Sequence, residues 1–590
     1  MRRGRVVVVF LVASLLFLPE TAGGATPDIS FSGSGWGHGV GLSQYGAKAM
    51  AADGATYEQI IYRYFTGVSV VPLSAASPGT YISTNPSPVW VGLLQDQPGV
   101  TFTVSEDSAQ LCFDDPNLCV RSVGPGETWR FGPDALGSCV FQQARGDGRF
   151  VPFGVARSCS ASVRPTSAAT KVKVPFKARS YRDGTLRFRP SALSGRLHVV
   201  FETGLETYLR GVSEVPESWP RAAIEAQVVT TRSATAWHLL DRGAVELFTS
   251  GSNVDCFCNL RDGGSDPVFR GASGADSNSN WVAAVEATRS QVIRAGTGVA
   301  LGMYSSSSGG ITEDYADVFG DSTFTHLVSV ADSAAFSDTA GNPHSQWAAG
   351  YNQQTLANAF GFTWVSNLRV SERNESGSAR TVLIEGIIDG RPASELVTGV
   401  DIQTELALRS TSFDVMVKPA FDDVPPGHQF AGEVVGLADL GITAGCTPTL
   451  FCPENRVTRG EMAAFLVRAL DLDGPTGPDS FEDDDSSLFE TDIQKIYAHG
   501  ITTGCAANRF CPDSPVSRGE MAAFLVRAFG LVGDGGNTFT DDDGSFFESD
   551  IAALEASRVT SGCGPGLFCP TRSVSRQEMA AFLIRALALA

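Results

Sequence analysis

From residue 421 onward the sequence repeats one unit three times. Each copy opens with an aromatic residue followed by acids, at Phe421, Phe481 and Phe539. A helical stretch then leads to a Gly-Cys turn and to a Phe-Cys-Pro segment. Repeats of this length cannot each bury a core alone, so they stack on one another. The pattern predicts one helical unit of three packed copies.

Two cysteines stand in each copy with five residues between them. The equal spacing favours a disulfide in every copy, in an oxidising compartment. Zinc is the alternative, but two thiols with no matching histidine leave a tetrahedral site half filled. The predicted pairs are Cys446 with Cys452, Cys505 with Cys511, and Cys563 with Cys569.

A second helix closes each copy, and its start follows capping-box spacing. Thr458, Ser517 and Ser575 are the predicted N-caps, and Glu461, Glu520 and Glu578 lie three residues further on. The box explains the glutamates. It leaves unexplained the arginine between them in each copy, at Arg459, Arg518 and Arg576.

These units resemble the S-layer homology (SLH) family. Its Gly-Ile-Thr turn is matched at residues 441–443 and 500–502, whereas the third copy reads Arg558-Val559-Thr560. The resemblance implies all-α repeats at 419–475, 476–534 and 535–590, packed about a pseudo-threefold axis and binding an anionic secondary cell-wall polysaccharide. It makes Arg459, Arg518 and Arg576 the polysaccharide contacts, because guanidinium groups bind carboxylates bidentately. The alternative is that each arginine braces the neighbouring repeat.

The chain starts with basic residues, an apolar run and a small-residue cluster, as secretory signal peptides do. We predict a signal peptide over residues 1–25, cleavage, and a secreted protein without a membrane partner. The formal net charge of −20 argues against a nucleic-acid partner, because phosphate binding requires a basic face. The 590 residues exceed the capacity of one core.

Residues 88–203 alternate apolar and polar positions between turn signals, which predicts a β-rich scaffold. Four cysteines lie in it. Among the three connectivities, local pairing of Cys112 with Cys119 and of Cys139 with Cys159 is our choice.

Polar side chains and glycines alternate over residues 35–47, where His38, Gln44 and Tyr45 stand among close-set glycines. Such backbone must turn or closely approach another segment. Glu214 lies further on, in a loop before a predicted helix that starts at Ser218 or Trp219 with Pro220 in its first turn. Residues 221–240 of that helix contain no glycine or proline.

Together these segments resemble the SpoIID/LytB family, through Gly37-His38-Gly39 to Ala47, Tyr208 to Pro220, Glu225 to Arg232, and Tyr304 to Gly310. The resemblance implies an α+β fold over residues 27–418, β-rich with a helix behind a catalytic loop. It also implies a lytic transglycosylase acting on peptidoglycan glycan strands, with Glu214 as the catalytic acid and base and Glu217 as the alternative. The implied substrate contacts are Gln227, Arg232, Ser307, Ser308, Gly309, His38, Gln44 and Tyr45.

Part of the same family is described as amidase enhancers. The alternative function is therefore a glycan-binding protein that stimulates an N-acetylmuramoyl-L-alanine amidase. We predict no cofactor and no metal. Zinc occurs in some relatives, but Cys256 and Cys258 lack a third ligand, and a disulfide involving them is favoured.

Overall fold

A computed structural model describes residues 29–77, 82, 84–114, 117–191, 194–244, 256–263, 266–474, 480–533, 536 and 538–589. The predicted signal peptide lies outside the described residues. Among the described residues, no helix has both the length and the apolar character that a bilayer crossing requires. The chain folds into two compact units.

The strands are β1 Ile29–Gly33, β2 Leu42–Ser43, β3 Val68–Pro72, β4 Val89–Gln97, β5 Val100–Ser105, β6 Ala109–Asp114, β7 Asn117–Val123, β8 Thr128–Pro133, β9 Cys139–Ala144, β10 Phe150–Arg157, β11 Ala161–Pro165, β12 Lys171–Val174, β13 Arg179–Tyr181, β14 Gly184–Pro190, β15 Leu197–Thr203, β16 Leu260–Arg261, β17 Gln291–Ala295, β18 Gly298–Val299, β19 Tyr304–Ser305, β20 Trp347–Tyr351, β21 Trp364–Arg373, β22 Ala379–Ile388, β23 Arg391–Thr398 and β24 Phe413–Val417.

The helices are α1 Gln44–Ala52, α2 Tyr57–Tyr64, α3 Leu205–Arg210, α4 Arg221–Arg242, α5 Gly271–Ser277, α6 Ser279–Ala287, α7 Tyr315–Phe319, α8 Gln353–Phe360, α9 Gly399–Glu405, α10 Ala431–Asp439, α11 Arg459–Ala469, α12 Glu490–Ala498, α13 Arg518–Phe529, α14 Glu548–Ala556 and α15 Arg576–Leu587.

The first unit comprises residues 33–347 and 374–378 and is built around two sheets. One has the order β10-β9-β8-β5-β12-β13 and the other β16-β4-β15-β14-β11-β6-β7. Aromatic side chains from both sheets meet in a shared core, where the ring centres of Phe131 and Phe188 lie 4.8 Å apart. The alternation that predicted a β-rich scaffold therefore reflects strands with one face in this core.

Helix α4 is the long helix of this unit, and many of its polar residues are buried. Thr230 donates its hydroxyl hydrogen bond to the Ala226 carbonyl at 2.8 Å, and Ser233 donates to the Val229 carbonyl at 2.6 Å. Because these hydroxyls are satisfied within the helix, the helix can be buried without leaving those donors unpaired. The sequence placed the start of this helix at Ser218 or Trp219 with Pro220 in the first turn, whereas in the structure Pro220 is the N-cap and the helix begins at Arg221.

The cysteines of the first unit lie in three pairs at disulfide distance. Cys112 faces Cys119 across the β6–β7 ladder, and Cys139 pairs with Cys159, as predicted. Cys256 pairs with Cys258.

The second unit contains residues 29–32, 348–373 and 379–589. Its strands form the sheets β20-β1-β24 and β21-β22-β23, and helices α10 to α15 supply two helices to each of the three repeats. Thr458, Ser517 and Ser575 cap the second helix of each repeat in complete capping boxes.

The three repeats close into a ring through equivalent backbone hydrogen bonds. Val457 donates to the Val574 carbonyl, Val574 to that of Val516, and Val516 to that of Val457, at 3.0, 2.9 and 2.9 Å. The same N–H group of each repeat therefore donates to the repeat before it, and that of the first repeat donates to the third.

The three arginines connect the same ring in the opposite sense, each donating to the repeat that follows its own. Arg459 donates from Nε to the Phe510 carbonyl at 2.8 Å and from Nη1 to Glu520 at 2.9 Å. Arg518 makes the equivalent bonds to Phe568 and Glu578, and Arg576 to Phe451 and Glu461. All three residues are 4% exposed or less. They brace neighbouring repeats, which is the alternative role that the sequence left open, and they present almost no surface to a polysaccharide.

One aspartate of each repeat holds the Cys turn. Asp483 accepts backbone N–H groups from Phe510 at 2.7 Å and Cys511 at 3.0 Å, and Cys511 has a φ of 59°. Asp423 and Asp541 make the same two contacts in their repeats. The cysteines lie at disulfide distance in the three predicted pairs.

The predicted fold class, an α+β front region followed by helical repeats, is confirmed. The compact units separate near residue 348, whereas the sequence boundary at residue 418 stays a prediction.

Replacing Arg459 by methionine should lower the free energy of unfolding of the repeats by about 3 kcal/mol, because it leaves Glu520 and the Phe510 carbonyl without their buried donor. Urea unfolding measures this effect. The control is Arg509→Met, which removes an ion pair with Asp483. The Arg509 side chain is 63% exposed. That change should cost less than about 1 kcal/mol. Equal losses in the two variants would contradict the bracing role.

Candidate active site

Glu214 lies in the loop between α3 and α4. Its neighbour Val215 is buried, and Val212 on the other side pairs with Phe269 in an isolated bridge. Burial raises the pKa of the Glu214 carboxyl, while a hydrogen bond from Tyr304 and the positive charge of Arg270 act in the opposite direction. The net direction is upward, so this carboxyl holds its proton more strongly than an ordinary glutamate.

Tyr304 is the partner that the sequence did not assign. It is the first residue of β19, and β19 pairs in parallel with β2, directly before Gln44. Its side chain bonds Glu214 and Thr231, and burial raises the pKa of the Tyr304 hydroxyl well above its usual range. The hydroxyl therefore acts as a donor to the Glu214 carboxylate. In the sequence, the only indication of a functional role for Tyr304 is its position in the Tyr304–Gly310 motif.

Gln44 and Gln227 complete the network around Glu214. Gln44 Nε2 donates to the backbone carbonyl of Glu214 at 3.3 Å and lies 3.4 Å from Gln227 Oε1. Gln227 in turn donates to Thr231 Oγ1 at 3.1 Å. The structure thus brings three predicted residues together, although Gln227 is buried and orients its neighbours rather than facing solvent.

The glycine-rich segment lies against the residues that carry Tyr304. Gly41 has a φ of 76°, and a Cβ built on it would meet the Met303 carbonyl at 2.3 Å. A larger residue there would push away the strand that positions Tyr304. The close backbone approach predicted from the glycines is present.

His38 is a brace within this segment. Its Nδ1 accepts the Val40 N–H at 3.0 Å, so its other ring nitrogen donates to the backbone of Tyr304. Burial lowers the pKa of His38 to about 4, which keeps the ring neutral. Its geometry matches the loop-bracing role.

A row of rings runs beside the network. Tyr45 lies 5.1 Å from Trp219 and 5.6 Å from His344, and Trp36 lies 4.4 Å from His344, measured between ring centres. The Lys48 ammonium lies 5.6 and 5.5 Å from the ring centres of Tyr45 and Trp219. Trp36 is 42% exposed. Sugars pack their C–H faces on such aromatic surfaces, so Tyr45 is the predicted contact with the most suitable surroundings.

Other predicted contacts are engaged within the protein. Arg232 has no exposed surface, and its five N–H groups bond Glu206, Thr288, Val285 and Gln291. It therefore has no donor left for a substrate in this structure, and the expected substrate contact gives way to a structural one.

The serines behave similarly. Ser308 donates to Asp332 at 2.7 Å, and Ser307 accepts a hydrogen bond from Asn342 at 2.9 Å. Both serines are buried. The Gly309 carbonyl accepts from the Ser34 hydroxyl at 2.9 Å. These predicted contacts therefore already have hydrogen-bond partners within the protein.

Glu217, the alternative acid, has the opposite environment. Its Oε1 accepts from the Ser279 hydroxyl at 2.7 Å and from the Asn280 N–H at 2.8 Å, at the start of α6. These bonds lower the pKa of Glu217. A helix-start carboxylate that stays ionised is a poor general acid, whereas the raised pKa of Glu214 suits that role.

Residues 194–294 match the family model of the stage II sporulation protein, SpoIID. Residues 420–463, 480–522 and 538–580 match the S-layer homology domain. The chain carries a SpoIID domain followed by three SLH domains. The SpoIID match includes Glu214, Gln227 and Arg232, while Gln44 and Tyr304 lie outside it.

Individual relatives share only parts of this chain. A 45-residue stretch, 8% of the chain, is 47% identical to the amidase enhancer of Bacillus subtilis (strain 168) and covers 6% of it. A 108-residue stretch, 18% of the chain, is 33% identical to a surface-layer 125 kDa protein of Lysinibacillus sphaericus and covers 9% of it. A 168-residue stretch, 27% of the chain, is 25% identical to an endoglucanase of Bacillus sp. (strain KSM-635) and covers 18% of it.

The chain thus spans less than a fifth of the length of each of these three relatives. The SLH domains and the surface-layer relative identify a protein of the cell surface or cell wall.

Glu214→Gln should stabilise the protein at neutral pH and leave its stability unchanged near pH 4. A raised folded-state pKa means that folding opposes ionisation of Glu214, so its ionisation costs free energy only above the unfolded value of 4.5. Each unit of pKa is worth about 1.4 kcal/mol. Thermal unfolding at both pH values measures the difference.

Glu217→Gln is the control with the opposite sign, because the pKa of Glu217 is lowered and its carboxylate stabilises the fold at neutral pH. If Glu214→Gln destabilised the protein at neutral pH and not near pH 4, the result would contradict a raised pKa of the Glu214 carboxyl.

Proposed function

We propose that the SpoIID domain is a lytic transglycosylase that cleaves peptidoglycan glycan strands. The observation that carries the proposal is the environment of Glu214, a carboxyl with a raised pKa held by Tyr304 beside a row of aromatic rings. A general acid that works near neutral pH needs such an environment.

The chemistry needs one carboxyl group. Protonated Glu214 donates its proton to the glycosidic oxygen that leaves C1 of the N-acetylmuramic acid residue. The C6 hydroxyl oxygen of the same sugar bonds to C1, and the Glu214 carboxylate removes the proton of that hydroxyl. The products are a 1,6-anhydro end and a free sugar hydroxyl, and Glu214 regains its proton without water.

Tyr304 serves the second step. Its hydroxyl donates to the carboxylate form of Glu214, so it stabilises the state that exists after proton donation. Gln44 holds the backbone carbonyl of Glu214 and thereby fixes the loop. Tyr45 and Trp219 supply surface for the sugar rings.

The second candidate is a glycan-binding amidase enhancer without catalysis. The 47% identity to a protein named amidase enhancer favours it. In that case the aromatic row binds the glycan, and an N-acetylmuramoyl-L-alanine amidase is the partner.

For the repeats we propose retention on a secondary cell-wall polysaccharide, supported by the three SLH matches and by a relative named as a surface-layer protein. We do not propose Arg459, Arg518 and Arg576 as contacts with this polysaccharide, because their guanidinium groups are buried between repeats. We also propose that the protein is secreted. We further propose that the SpoIID-like domain spans residues 27–418 and that the first two repeats end at residues 475 and 534.

Incubating the purified protein with glycan strands, with and without stem peptides, should yield anhydro-muropeptides detectable by mass spectrometry. Glu214→Gln should reduce their formation by at least about 1,000-fold, because glutamine carries no transferable proton. Glu217→Gln is the matched control and should keep most of the activity. Full activity of Glu214→Gln would reject the catalytic assignment, and absence of products together with stimulation of an amidase would select the second candidate.

Tyr304→Phe should shift the alkaline limb of the pH–rate profile to higher pH. The lost hydrogen bond favoured the carboxylate of Glu214, so its removal raises the pKa of Glu214 further and keeps the acid protonated at higher pH. A role in packing alone would lower the rate without moving this limb. An unmoved limb would therefore reject Tyr304 as the residue that tunes Glu214.

A further inference from the structure

An open pocket of about 830 Å³ lies in the second compact unit, at the third repeat. Three arginines line it, Arg391, Arg558 and Arg585, together with the turn at residues 562–566. We call it the arginine pocket. Glu555 is the one acid among its lining residues that the structure describes. The pocket is therefore locally basic in a chain of net charge −20.

Arg558 has a backbone conformation that arginine disfavours. Its φ is 58°, and the equivalent residues of the other two repeats are Gly441 and Gly500, with φ of 67° and 72°. An L-residue other than glycine is strained in this left-handed region, and such strain concentrates at functional sites. Arg558 is exposed and forms no ion pair with the residues that the structure describes. The third repeat thus carries a cation where the fold itself would accept glycine.

Arg391 reaches the pocket from outside the repeats. It follows the two-residue turn Asp389-Gly390 between β22 and β23, where both residues have positive φ, as type I′ hairpins require. A Cβ built on Gly390 would lie 3.1 Å from Arg585 Cα and 2.9 Å from Ala588 Cβ. The tip of the hairpin therefore packs closely against the end of α15. This contact fixes the position of the Arg391 backbone beside the pocket.

The Arg585 side chain is held by two contacts within the protein. Its Nη1 donates to the Val559 carbonyl at 3.4 Å, and its Nη2 lies 3.8 Å from the buried carboxylate of Glu433. Arg468 makes the equivalent bond to Ile442 in the first repeat. Arg585 thus has an equivalent in the first repeat, whereas Arg558 stands where the other two repeats have glycine and Arg391 comes from outside the repeats.

We propose that the arginine pocket binds a carboxylate or phosphate group carried by a saccharide polymer. Guanidinium groups bind both anions bidentately. The pocket volume suits two or three sugar rings, and Thr538, Thr560 and Ser561 add polar lining. The identity of the polymer rests on the proposed wall-binding role, whereas the anion site rests on the three arginines.

The test is calorimetric titration of the full-length protein with trigalacturonate, with a glycerol phosphate trimer and with uncharged maltotriose. We expect binding of at least one charged trimer, weakened by salt, and no binding of maltotriose. Arg558→Gly should weaken binding about 10-fold and, since it restores the residue of the other repeats, should not impair folding. Arg391→Gln combined with Arg558→Gly should weaken binding about 100-fold, about one decade for each charged contact.

Arg380→Gln is the charge-matched control, because Arg380 is exposed on β22 of the same unit and does not line the pocket; it should bind like the unaltered protein. Preference for one charged trimer identifies the anion as carboxylate or phosphate. Binding of neither, or undiminished binding by the double variant, overturns the proposal. Sedimentation with purified cell walls tests the wall-binding role separately, since a protein that binds a trimer but not walls would refute that role alone.

Discussion

The hydrogen bond between Tyr304 and Glu214 is the contact on which the proposed chemistry of the SpoIID domain depends. Burial alone would make Glu214 a proton donor that resists ionisation, and a useful acid must also release and regain its proton. Tyr304 supplies a donor for the ionised state. The position of Tyr304 depends in turn on the parallel pairing of β19 with β2, which the glycine-rich segment permits by its close approach to Met303. The glycine-rich segment therefore helps to position Tyr304 against the Glu214 carboxyl.

In the repeats, a comparable dependence runs through buried arginines. Each guanidinium satisfies a carbonyl and a glutamate of the next repeat, and the same glutamate closes the capping box of its own helix. One carboxylate thus links the start of a helix to the neighbouring repeat. Because the relation is cyclic, no repeat can be removed without leaving a buried charge unpaired.

Local features were predictable from the sequence. The N-caps of the repeat helices and the cysteine pairs depend on residues close in the chain, and the structure places them as expected. The destinations of long side chains were not predictable. Arg232 and Arg459 stand in motifs that resemble ligand contacts, yet their partners Glu206 and Glu520 come from distant segments that only the folded chain brings near. Tyr304 escaped assignment for the same reason, since its hydroxyl reaches Glu214 only through the pairing of β19.

The most direct test of the central claim is the titration of the Glu214 carboxyl itself, observed as the pH-dependent infrared difference between the unaltered protein and Glu214→Gln. The carboxyl band of Glu214 should persist above pH 4.5, the pKa of an ordinary glutamate. The band of Glu217, obtained as the difference from Glu217→Gln, should disappear below that pH. A Glu214 band lost at or below the pH at which Glu217 ionises would show that the pKa of Glu214 is not raised, and would contradict its role as the acid.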